Sequence, residues 1–207
     1  MTSIQIGGKR LRGLLFSPAP PAPPSSVGAV FVGGAGGGVH GPAGIYPPLA
    51  NRLMREGVNV LLLDYHRPNQ LQACIEDTLE GIRYLHDHHS VNKVTLLGWS
   101  FGGAVVISAG ALDEKVVGVA TVASQTYGTD SVSHLGRQHK SLLLLHGTAD
   151  SCLSVRCSET LFQRAHQPKE LVRFPGDDHG LTKHSQQVID KLFEWNVQLL
   201  KPKEPTA

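Results

Sequence analysis

The 207-residue chain has only three cysteines, Cys74, Cys152 and Cys157. Their number is odd and their spacing matches no metal-ligand pattern, so they exclude a disulfide framework and a thiolate zinc site and read as reduced thiols. No apolar stretch reaches the 18 residues that a membrane-spanning helix needs. The first residues, Met1-Thr2-Ser3-Ile4-Gln5-Ile6, lack the hydrophobic centre of a secretory signal, and a cytoplasmic protein with no membrane partner is expected. Charge of either sign is scarce too. With 19 Lys and Arg against 17 Asp and Glu the net charge is +2, and no basic run is long enough to hold nucleic acid. No internal repeat is present, and the length suits one well-filled core.

Short apolar runs alternate with helical patterns along the chain. A first strand pair is expected at Ser3–Ile6 and Lys9–Phe16, followed by an extended Pro-rich connection, Pro18–Pro24. Further strands are expected at Val27–Val32, Val58–Leu63, Val94–Leu97, Val116–Val122, Ser141–Leu145 and Leu171–Phe174. Helices are expected at Pro47–Glu56, Asn69–His86, Gly102–Leu112, Ser158–His166 and Ser185–Leu200. Pro47 and Pro48 fit a first helical turn and Gly57 a C-terminal cap. Ser124–His139 reads as a polar loop. The pattern predicts an α/β fold, with a mostly parallel sheet covered by helices on both faces. Residues 1–200 are expected to form a single domain and 201–207 a flexible tail.

Gly98-Trp99-Ser100-Phe101-Gly102 is a G-x-S-x-G sequence between a predicted strand and a predicted helix. A serine on so sharp a turn has its hydroxyl pushed outward, and the turn demands tiny residues two positions away on each side. Nucleophilic serine needs a base, and the base needs an orienting carboxylate. Both should lie beyond strand ends, where the loops of a parallel sheet gather. Asp150 follows the strand Ser141–Leu145 in His146-Gly147-Thr148-Ala149-Asp150, and His179 follows Leu171–Phe174 in Asp178-His179-Gly180. The order Ser100, Asp150, His179 is that of the α/β-hydrolase arrangement. Asp177 and Asp178 are competing carboxylates, with Asp178 the reserve acid. One oxyanion donor is expected at the Phe101 amide. The other lies in the loop Gly33–Gly38, assigned to Ala35 with Gly34 and Gly36 as alternatives. Gly34, Gly36, His40, Trp99 and Tyr127 are candidate walls of a substrate pocket.

On these residues (the glycine loop, Gly98–Gly103, His146–Asp150 and Asp178–Gly180) the chain resembles small α/β-hydrolase-fold serine hydrolases similar to dienelactone-hydrolase-like esterases. The resemblance runs from Val27 to the last helix. It implies cleavage of an ester or thioester in a small or acylated substrate, without a cofactor or metal. Dienelactone hydrolases proper carry a cysteine nucleophile where this chain has Ser100, a departure that bears on lactone specificity. Ser124–His139 is too short for a helical cap.

Two rival readings compete. Gly36-x-Gly38-x-x-Gly41 matches a dinucleotide fingerprint, with Asp64 ending the next strand, as in a nucleotide-binding oxidoreductase. Against it, the first of these glycines starts several residues past the strand and Pro42, Pro47 and Pro48 push the helix away. The second rival is a non-catalytic interaction protein on the same fold. The histidines of His86-Asp87-His88-His89 read as a solvated helix end in preference to a zinc site.

Overall fold

The computed structural model describes residues 1–6, 11–19 and 25–200. Eight strands form one sheet: β1 (Thr2–Ile6), β2 (Leu11–Phe16), β3 (Val27–Val32), β4 (Asn59–Asp64), β5 (Lys93–Trp99), β6 (Val116–Val122), β7 (Ser141–Gly147) and β8 (Lys169–Phe174). Their order across the sheet is β1-β2-β4-β3-β5-β6-β7-β8. β1 and β2 pair antiparallel, β2 joins β4 antiparallel, and β4 through β8 are mutually parallel. The expected strands are all present. The proposed start of the second strand at Lys9, most of the Pro-rich connection and the tail lie outside the described residues.

The central strands are mostly apolar along their length because both of their faces are covered. Along β3, Val30 and Val32 turn to one core with Leu61, Leu63 and Leu96, while Ala29 and Phe31 turn to the other with Val60 and Leu62. The first face is covered by α2 (Leu71–His89), α3 (Phe101–Leu112), α4 (Val132–Arg137) and α5 (Arg156–Arg164). The second is covered by α1 (Tyr46–Arg55) and α6 (Ser185–Leu200). α3 shows no amphipathic stripe: from Phe101 to Gly110 only Ser108 is not fully buried. It is wedged between the sheet, α2 and α4, so a helix that is apolar all round fits there.

The segment Ser124–His139 departs from the expected polar loop, because it contains α4. Six residues give too few turns for periodicity to register, yet Val132 and Leu135 are completely buried. Lys140 then reaches back, donating from Nζ to the Gly110 and Asp113 carbonyls at 2.6 and 2.7 Å and closing the end of α3. Burial pushes the Lys140 ammonium below its ordinary value, with Asp113 and Glu114 opposing the shift. The segment is short and adds no cap domain over the sheet's C-terminal edge.

Candidate active site

The turn between β5 and α3 carries Ser100 at φ 57° and ψ −119°, a left-handed conformation that a side chain rarely adopts. Neighbouring backbone holds it there. The Ser100 N–H donates to the Val122 carbonyl at 2.8 Å, and the Ser100 carbonyl accepts from the Gly103 N–H at 3.0 Å. Three glycines make the approach possible. A Cβ on Gly98 would lie 2.1 Å from the Gly102 oxygen, and one on Gly102 would lie 2.3 Å from the Gly33 oxygen. One on Gly103 would meet Ser124 Oγ at 2.2 Å. Backbone cannot yield as a flexible side chain can. Gly98→Ala therefore lowers stability by about 2–3 kcal/mol, read as a shift of the denaturant midpoint. An unchanged midpoint would show that the turn relaxes freely.

The loops that carry Asp150 and His179 are laced together beyond β7 and β8. The Thr148 and Ala149 amides donate to the Phe174 and Asp177 carbonyls, each at 2.9 Å, and the Gly176 amide donates to Thr148 Oγ1 at 2.8 Å. Gly147 is required here, since a Cβ would meet the Asp177 oxygen at 2.4 Å. This framework sets His179 Nδ1 2.7 Å from Asp150 Oδ2, with the Asp150 side chain fully buried. Asp150 Oδ1 accepts the Cys152 and Leu153 amides, both at 2.8 Å. Burial by itself raises the carboxyl's pKa. The hydrogen bonds from Leu153, His179 and Cys152 outweigh it and hold the group below its ordinary value.

Trp99 joins this pair to the serine turn. Its indole N–H donates to the His179 carbonyl at 3.1 Å, and the two rings lie 5.5 Å apart. Gly34 approaches from the opposite side, where a Cβ would stand 3.3 Å from the Trp99 ring and 3.6 Å from Ser100 Cβ. Ala35 is the next residue, exposed in a turn closed by the Gly37 N–H on the Gly34 carbonyl at 3.0 Å. Two buried tyrosines pin the root of this loop. Tyr46 Oη donates to the Val32 carbonyl at 2.9 Å and Tyr65 Oη to the Gly33 carbonyl at 3.2 Å. Burial raises both phenols well above their ordinary value, so they remain protonated donors.

Ser100, Phe101, Asp150, His179, Gly34, Ala35 and Trp99 thus gather at one edge of the sheet. Gly36 faces open space, and His40 and Tyr127 are exposed at the surface. The competing carboxylates have other work. Asp178 Oδ1 accepts the Gly180 and Thr182 amides at 3.0 and 3.1 Å and both its oxygens accept the Thr182 hydroxyl, so it shapes the turn from Asp178 to Thr182. Asp177 is buried and pairs with His184 Nδ1 at 2.8 Å while accepting three amides. Burial opposes its ionisation, and the His184, Lys183 and Asp178 donors prevail.

The dinucleotide reading fails on the same geometry. Asp64 is occupied by the loop itself, accepting the Gly38 amide at 2.7 Å. Gly41 opens a 3-10 turn, Pro42–Gly44, and the α-helix that follows the loop begins only at Tyr46. At the end of α2, His86 Nδ1 donates to the Val91 carbonyl and His88 stacks on Tyr84. Among the described residues no three ligand-type side chains cluster to hold a metal.

Two features escaped the sequence. His66 stands 2.6 Å from the buried carboxylate of Asp77, a partner that α2 brings from eleven residues away. His146, near the end of β7, also lies against Asp150, with Nε2 3.2 Å from Oδ2.

This architecture, a mostly parallel eight-stranded sheet with a sharp serine turn and no large cap, is the α/β-hydrolase fold. The dienelactone hydrolase family model matches residues 55–196, and the chain belongs to that family, a family of hydrolases. The uncharacterised protein YfhR of Escherichia coli K12 is 29% identical over 232 aligned positions, which cover 94% of this chain and 79% of YfhR. Among solved structures, the dienelactone hydrolase of Anabaena variabilis superposes with a TM-score of 0.80 at 20% identity, covering 97% of both chains. Est1E of Butyrivibrio proteoclasticus does so with a TM-score of 0.80 at 16% identity, covering 96% of this chain and 98% of its own. XC6422 of Xanthomonas campestris, described as an α/β serine hydrolase without lid, reaches 0.77 at 17% identity, covering 99% and 96%.

Proposed function

We propose that the protein cleaves carboxylic esters or thioesters through an acyl-enzyme on Ser100. The observation that carries this reading is the buried Asp150 carboxylate on His179 Nδ1 at 2.7 Å, with Trp99, the last residue of β5 and the neighbour of Ser100, tying that histidine to the serine turn. Because Asp150 accepts at Nδ1, the neutral imidazole presents its free nitrogen, Nε2, to take the serine proton. Ser100 Oγ then attacks the acyl carbon, and the oxyanion is received by the amides of Phe101 and Ala35. Phe101 opens α3, where the first amides have no partner within the helix and the helix dipole favours negative charge. His179 returns the proton to the leaving alcohol or thiol, and water repeats the cycle on the acyl-serine.

The missing cap favours small soluble esters or an acyl group borne on a larger molecule. Est1E has been solved with ferulic acid bound, which makes hydroxycinnamoyl esters a sensible part of a substrate panel. The test is labelling with a fluorophosphonate followed by peptide mapping, then turnover of a panel of acyl esters and thioesters. The expected result is one adduct, on Ser100, and hydrolysis of short acyl esters. A protein that takes no label and binds NAD(H) tightly would restore the nucleotide-binding reading.

A further inference from the structure

Asp150 has a second histidine. His146, at the end of β7, is completely buried, and its Nε2 lies 3.2 Å from Asp150 Oδ2, the oxygen that also receives His179. The same nitrogen lies 2.9 Å from the Leu153 carbonyl. A carbonyl can only accept, so Nε2 carries a proton, which it shares between Leu153 and Asp150. On the other side of the ring, Nδ1 lies 2.7 Å from Ser158 Oγ of α5, and this buried hydroxyl can donate to it. The network therefore assigns a neutral ring protonated at Nε2. Burial, the largest influence, pushes His146 below its ordinary value. The nearby His179 acts in the same direction, while Leu153 and Asp150 oppose. The groups facing it are Asp150, His179, Ser158 and the Leu153 carbonyl, with Cys157 beside Asp150.

Asp150 consequently faces four N–H groups: the Cys152 and Leu153 amides on Oδ1, the His179 ring at 2.7 Å on Oδ2, and the His146 ring at a longer 3.2 Å on that same oxygen. Three come from the immediate neighbourhood of the acid itself. Only the His179 bond belongs to the reacting system. We infer that His146 is a positioning residue for the proposed reaction: through its Nε2–H it fixes Asp150 Oδ2 against His179 and limits how strongly that oxygen attracts the His179 proton. Ser158 is the third member of the network: the Leu153 carbonyl fixes the proton on Nε2, and the Ser158 hydroxyl can donate to the Nδ1 left free. The inference rests on Asp150 and His179 acting as the acid and base of the proposed hydrolysis.

The physical expectation follows from sharing an acceptor. With the His146 N–H gone, Oδ2 is a stronger acceptor for His179 alone, which favours the imidazolium. It is also held by one contact fewer, so the imidazole loses alignment. His146→Leu should lower kcat by about 10- to 100-fold with KM little changed. The acid limb of its kcat/KM profile should move to higher pH. His146→Gln, which keeps an N–H near the Nε2 position, should restore both the rate and the limb. Ser158→Ala, which keeps the ring and its Nε2–H but removes the partner that holds Nδ1, should fall between wild type and His146→Leu.

A readout independent of turnover is the low-field proton of the His179 Nδ1–H bond in NMR spectra, which should move further downfield in His146→Leu and return in His146→Gln. This signal separates the two readings. If wild type neither labels nor hydrolyses esters while the proton moves as described, the hydrolase reading fails and the coupling of His146 to Asp150 stands. If wild type is active, a folded His146→Leu with an unmoved acid limb and an unmoved proton overturns the inference, even where kcat falls, because a purely structural role would give that pattern. Should His146→Leu not fold, the comparison of His146→Gln with Ser158→Ala decides. Equal profiles for those two and wild type would overturn the inference.

Discussion

Ser100→Ala is expected to lower kcat by about four to six powers of ten while the protein stays folded and still binds substrate. That loss corresponds to roughly 5.5–8 kcal/mol of transition-state stabilisation. The size follows from what the substitution removes. Alanine deletes the only atom proposed to attack the acyl carbon, leaving His179 and the oxyanion amides in place around water. The backbone reason is equally specific: alanine, like serine, has one Cβ, so it inherits the left-handed φ of 57° without a new clash. Stability should therefore change little, and the effect can be read as chemistry. The measurement is steady-state turnover of the best ester of the panel, with a thermal melt as the folding control. Near-wild-type turnover in the alanine variant would sink the assignment of Ser100.

Asp150→Asn comes next, at about three to four powers of ten in kcat. All four groups that face the carboxylate are donors: two backbone amides on one oxygen and two histidine rings on the other. An asparagine cannot satisfy them in either orientation. Its NH₂ meets either the Cys152 and Leu153 amides or the His179 and His146 rings, and in both cases donors oppose donors. His179 can escape only by moving its proton to Nε2, which abolishes its ability to accept one from Ser100. A stability loss of about 1–3 kcal/mol should accompany the loss of rate, because a buried donor is left without a partner. Asp178→Asn is the matched comparison. That side chain is exposed and shapes the turn from Asp178 to Thr182, so its rate should stay near wild type. The reverse ranking of the two variants would show that the base takes its orientation from the other acid.

The fold was legible because this sheet is buried on both sides. Val27–Val32 and Val116–Val122 are uninterrupted apolar runs with the same limits in the sequence and in the structure, and Ser185–Leu200 is an equally exact helix. Elsewhere the limits differ from the expected ones by one to three residues, in either direction: α2 starts at Leu71 where Asn69 is expected, and α5 spans Arg156–Arg164 where Ser158–His166 is expected. β7 continues through His146 and Gly147, and β8 starts at Lys169, because strand pairing at an edge tolerates polar side chains. α4 is not legible for a different reason: its buried Val132 and Leu135 belong to a core shared with α3, a surface that no local pattern encodes.

The candidate site divides along the same line. Gly98, Ser100 and Gly102 announce themselves because a strained turn admits so few residue types, and chain order suggests Asp150 and His179. The choice among Asp150, Asp177 and Asp178 is different, since all three lie in loops beyond strand ends and differ only in what surrounds them. Asp177 meets His184, Asp178 meets its own turn, and Asp150 meets His179. His146 and Ser158 give no sign of their connection in sequence, because a histidine within a strand of leucines reads as an ordinary buried residue.

The sequence by itself determined the layered sheet, the position of the sharp serine turn and the order of its partners, since periodicity and the need for glycine are properties of a few adjacent residues. Only the tertiary structure decided which carboxylate faces His179, that a second histidine shares its oxygen, and that two tyrosines hold the glycine loop by its root. Those outcomes depend on which donors and acceptors converge from separate elements in a space closed to water, where each must find a partner.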